Sequence, residues 1–133
     1  MTINKPNLLK ITLGLGALYY LMGAVAHYGG LTIFPFFDAG LYMPYQDSVI
    51  ALVAVILSLI LLTIARDPVK NIDTLKVVII GATLASIFSV VIIWKIDFAA
   101  LGAPGKELQT VVEGILGFVF VGLLLWLYPQ KTD

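Results

Sequence analysis

The 133-residue chain has no cysteine and a single histidine. No disulfide, thiol nucleophile or cysteine-held metal can therefore contribute to its chemistry. Charge is scarce: Asp, Glu, Lys and Arg together make up 12% of residues, and eight basic side chains balance eight acidic ones. A soluble domain carries about 25% charged residues, so the chain lacks the polar surface of an ordinary globular protein. The absence of a basic surplus removes the usual electrostatic footprint of nucleic-acid binding. No His-Glu-x-x-His motif, phosphate-cradling loop ending in Lys-Ser/Thr or nucleophile elbow occurs. The sequence therefore predicts no cofactor, no metal site and no nucleic-acid partner.

What is abundant is apolar. Sixty per cent of residues are hydrophobic, and the mean hydropathy is +1.02. A bilayer core requires roughly 20 consecutive, mostly apolar helical residues. Four stretches qualify, at about residues 8–28, 48–65, 75–94 and 106–128. Their apolar runs are continuous, without the two-residue alternation of barrel strands, so helices are the spanning form. The predicted fold is an all-α membrane protein, a four-transmembrane-helix bundle forming one domain over residues 1–133. Asp47-Ser48 and Asp73-Thr74 resemble N-caps for the second and third spans. Pro104-Gly105 marks the entry to the fourth, and Asp67-Pro68 the end of the second.

Four spans place both termini on one side. That side carries Lys5, Lys10, Arg66, Lys70, Lys76 and Lys131, against Lys95 and Lys106 on the other. The positive-inside rule then predicts N-in, C-in topology with cytoplasmic termini, in a cell (inner) membrane. A competing pattern exists at the N-terminus. Lys5, Lys10, the apolar stretch 11–22 and Ala24-Val25-Ala26 also fit a signal peptide. Cleavage there would leave His27 first and three spans with unchanged direction. An ordinary first span with small residues at its end is the preferred reading, and mass spectrometry of the mature chain separates the two.

Between membrane helices, small residues permit close backbone approach. Gly81, Ala85 and Ser89 recur every fourth residue in the third span; Gly16 and Gly23 lie in the first, Gly114 and Gly117 in the fourth. These are the expected helix-packing positions. They serve either the bundle's own packing or, most clearly for the Gly81 seam, a homo-oligomer or partner interface.

The polar candidates cluster at the predicted outer side. His27 ends the first span, Asp47 begins the second, Asp97 follows the third, and Glu113 lies inside the fourth. From a helix start near residue 105, Glu113 is about 12 Å along the axis, where an unpaired carboxylate is costly. It must be paired, protonated or facing water, with His27, Lys95, Lys106 and the loop tyrosines as expected neighbours. It is the leading candidate for acid–base work; a structural ion pair is the competing reading. His27 has chemistry suited to proton exchange, although a histidine at a helix end is more often simply hydrogen-bonded. Asp47 reads most simply as a cap, and Asp38 and Asp97 as solvated loop residues. The loop at 29–46 is unusually apolar, with Phe34, Phe36, Phe37, Tyr42 and Tyr45. It is expected to lie in the interfacial zone, where amphipathic rings settle, or to cover a lipophilic ligand.

No catalytic constellation is evident, and small-residue seams occur on every span. The functional expectation is a non-catalytic accessory or scaffold subunit that packs against partner helices among membrane lipids. The alternative is an outward-facing membrane-embedded enzyme or proton-coupled transporter for a lipophilic ligand, using Glu113 and His27. The missing cysteines exclude a thiol-dependent quinone reductase of the vitamin K epoxide reductase kind. The first span has no acidic residue, unlike that of small multidrug-resistance exporters. Size and span number are similar to those of four-span DoxX-like proteins, but no diagnostic motif is shared.

Overall fold

A computed structural model describes residues 4–33 and 39–129. Among these, four α-helices account for most of the chain: α1 (Lys5–Gly29), α2 (Pro44–Arg66), α3 (Ile72–Lys95) and α4 (Gly105–Trp126). A short 3-10 turn, Ala39–Leu41, precedes α2. Each α-helix is long and apolar enough to cross a membrane. The molecule is thus an all-helical bundle consistent with an integral membrane protein.

The helix ends follow local chemistry. Asn4 caps α1 by accepting from the Asn7 backbone N–H. Gly30 ends it in the left-handed conformation, φ +59°, with its N–H directed to the carbonyls of Ala26 and His27. The Tyr42 ring lies 3.1 Å from where a Cβ on Gly30 would stand, so glycine answers two demands there. α2 begins a turn earlier than the Asp47-Ser48 signal suggests. Pro44 occupies its first turn, where a missing N–H costs nothing. Asp47 is consequently inside the helix, not its cap. Asn71, not Asp73, precedes α3, and its side-chain amide donates to the carbonyls of Thr63 and Asp67 across the α2–α3 turn.

The principal neighbours are α1 with α2 and α3 with α4. A smaller α1–α4 contact joins these two hairpins, while α2 and α3 scarcely meet. At the end holding the termini, an apolar core draws on all four helices, including Leu9, Leu13, Leu61, Leu75 and Leu124. Towards the His27 end the α1–α2 contact narrows to Ala24, Ala51 and Ala54. Large side chains such as Leu52, Leu84, Phe88 and Leu125 instead point outward. That distribution suits a hydrocarbon solvent, which gains nothing from hiding leucine but rewards close backbone contact. Hydroxyls within the helices behave accordingly: Thr12, Thr83, Ser86 and Thr110 each donate to the carbonyl four residues earlier.

The expected packing glycines divide. Gly114 faces the Ser89 Cβ at 3.4 Å, and Gly117 faces the Ser86 hydroxyl, so these two seat α4 against α3. Gly16 receives the Phe120 ring, 2.9 Å from an added Cβ. Gly23 and Gly81 have no such neighbour within 4 Å. For Gly81 and Ala85 the reading as intramolecular packing is therefore corrected: both are exposed, because α3 is rotated to place Ser86 against α4.

Candidate functional site

The last turn of α1 and the first turn of α2 lie side by side, held close by Ala24 and Ala51. This sets His27 against Asp47, with Nδ1 2.6 Å from Oδ1. The second carboxylate oxygen accepts the Met43 backbone N–H, also at 2.6 Å. Asp47 is 6% exposed, so its carboxylate depends on these donors. A carboxylate can only accept, so with Asp47 ionised the His27 Nδ1 carries the shared proton. Both residues also suit their helix ends: histidine sits at the carbonyl-rich end of α1 and aspartate at the amide-rich end of α2. Lys106, in the first turn of α4, is near enough for its charge to act on Asp47.

Glu113 lies two turns deeper along α4 than Lys106. Gln109, one turn above it, donates its side-chain N–H to Oε1 at 3.0 Å. The Tyr19 hydroxyl of α1 reaches the same oxygen at 3.5 Å, a long and weak contact. Tyr20 meets Tyr19 edge-to-face, with ring centroids 5.7 Å apart, and lies within the electrostatic reach of Glu113. Gln109 is 2% exposed and Thr110 is also buried. A polar stripe therefore runs inward along α4 through Lys106, Gln109 and Glu113, with Lys106 near Asp47 of α2 and Glu113 met by Tyr19 of α1.

His27, Asp47 and Glu113 thus share one end of the bundle, with His27 and Asp47 directly paired. Asp97 does not join them. It is exposed, and its carboxylate accepts the Ala100 N–H at 3.0 Å to shape the turn before α4. Lys95, expected near Glu113, is likewise exposed at the end of α3. Tyr45 is exposed and separate from the polar stripe, whereas Tyr42 covers Gly30 and directs its hydroxyl toward the Tyr28 carbonyl. Phe34, Phe36, Phe37, Asp38 and Lys131 lie outside the described residues.

Tyr19 and Gln109 were not anticipated as partners of Glu113. Two signals were available: Gln109 is one helical turn before Glu113, and Tyr19-Tyr20 is a tandem of hydroxyls in an otherwise apolar span. Among the described residues, no group of three or more His, Cys, Asp and Glu is placed to hold a metal ion. Two shallow apolar hollows occur away from the polar stripe. One, about 430 Å³, is lined by Leu84, Ala85, Ile87, Phe88 and Val91 on α3. The other lies between α2 and α3, where Ile56, Ile60 and Thr74 contribute.

Comparison with protein-family models, curated proteins and solved structures finds no match to this chain.

Proposed function

We propose that the protein is a small integral membrane subunit that associates with other helices, its own or a partner's, through the outward face of α3. One observation carries this reading. Only 6% of the most apolar stretch of α3 is buried, against 28% for each of the other three helices. The face left open includes Gly81 and Ala85, small positions at which a second helix can approach closely. The polar groups of α1, α2 and α4 support the same reading in its simplest form, since they bind α1 to α2 and to α4 while the outward face of α3 stays open.

Gly81→Leu tests this directly. An added side chain there meets nothing within 4 Å inside the chain. The variant should retain its helicity and melting behaviour in detergent while losing assembly in native-like lipid, read by native mass spectrometry. An unchanged assembly, or a wild-type chain found only as a monomer in native-like lipid, would sink the proposal.

The orientation proposed with it is N-in, C-in in a cell (inner) membrane. Lys5, Lys10, Arg66, Lys70 and Lys76 gather at the end holding the termini, against Lys95 and Lys106 at the other. The exposed Tyr28, Tyr42, Met43 and Tyr45 at the opposite end suit a loop resting in the outer interface. A topology reporter fused after Asp133 should give an inside signal; an outside signal reverses the assignment.

A further inference from the structure

The interior changes character along its length. In the half holding the termini, α1, α2 and α4 meet through an apolar core, closed at its upper edge where Phe120 and Leu61 press on Gly16. Above that edge the same three helices contribute Tyr19, Tyr20 and His27, then Asp47, then Glu113, Gln109 and Lys106. On α4, Lys106, Gln109 or Thr110, and Glu113 follow the three-and-four spacing of a single helix face. Just below Glu113, α4 meets α3 where Gly114 and Gly117 face Ser89 and Ser86, and Lys95, at the end of α3, is exposed.

Intramembrane polar groups are retained against a cost. A column that begins at a helix end and stops at an apolar floor has a direction, because only one side of the membrane can supply its groups with water or protons. We propose that this column is a proton-uptake site, in which Glu113 takes a proton from the His27 side and is barred from exchange with the other side by the Phe120–Gly16–Leu61 packing. The proton bonds to a carboxylate oxygen and leaves by the same route, so the site gains and loses one charge with no net transfer across the membrane. This proposal is independent of the α3 interface.

The test uses the wild-type chain, reconstituted in sealed vesicles of one orientation and treated with dicyclohexylcarbodiimide. That reagent partitions into the membrane and adds across a protonated carboxyl, giving an O-acylisourea that rearranges to a stable N-acylurea with no group leaving. Peptide mass spectrometry locates the adduct. The adduct is expected on Glu113, formed faster when the pH on the His27 side is lowered, because the reagent adds only to a protonated carboxyl. Changing the pH on the other side should leave the rate unchanged. Absence of an adduct on Glu113, or a rate that follows the pH of the other side or of neither side, overturns the proposal.

Discussion

Replacing Gly117 by leucine is expected to separate α3 from α4. The Ser86 hydroxyl already stands where a Cβ would be placed, and the Ser86 Cα is 3.9 Å away. A single methyl group can be accommodated if that hydroxyl turns aside, giving up its 2.9 Å bond to the Ala82 carbonyl. Gly117→Ala should therefore change stability by no more than about 1 kcal/mol, since alanine's better helix propensity offsets the displaced hydrogen bond. Leucine adds three further carbons pointing at the α3 backbone. Overfilling a packed contact costs about 1–3 kcal/mol, and α3 has little else to hold it, because α2 scarcely touches it. The expected result is a large fall in melting temperature in detergent, with loss of a disulfide engineered between α3 and α4. Gly81→Leu, on the same helix pair but facing outward, provides the control and should leave both measurements unchanged. Equal sensitivity at Gly81 and Gly117 would mean that the rotation of α3 described here is wrong.

The contrast between those two glycines also marks how far the sequence could be read. Four spans were legible because hydrocarbon thickness imposes a minimum apolar length, and each helix lies within a few residues of its expected limits. The rotation of α3 was not legible. Gly81, Ala85 and Ser89 form the cleaner small-residue pattern, but Ser86 and Ser89 sit against α4, and small and hydroxyl residues recur on more than one face of α3, so spacing alone does not say which face turns inward. The start of α2 misled for a different reason. Asp47-Ser48 has the composition of a cap, whereas Pro44 begins the helix and carries Asp47 onto the same buried face as Ala51, Ala54 and Ser58. That shift turned an expected cap into a cross-helix acceptor for His27. Glu113 was legible as a residue needing a partner. Gln109, one turn before it on the same helix, was within reach of that reading, but Tyr19 depended on α1 lying beside α4, a neighbour relation that periodicity along one helix does not encode.

Asp47→Ala is expected to cost about 1–3 kcal/mol, the range for leaving a buried hydrogen-bonding group without its partner. Two donors lose their acceptor at once: His27 Nδ1 and the Met43 N–H. The two losses can be separated. Asp47→Asn keeps a carbonyl oxygen for the Met43 N–H but no longer offers a negative charge to His27, so it should be less damaging than alanine. Combining Asp47→Ala with His27→Ala in a double-mutant cycle should give a coupling of about 0.5–3 kcal/mol, because the second substitution removes the histidine that the first left unpaired. If Asp47 acted only as a cap on α2, its loss would cost the same with or without His27 and the coupling would vanish. Adding salt gives a further check. Screening weakens exposed pairs far more than buried ones, and the side chains here are only 19% and 8% exposed. The coupling should therefore persist at high ionic strength, whereas replacing Asp73, whose bond to Lys76 lies on the surface, should cost little at any salt concentration.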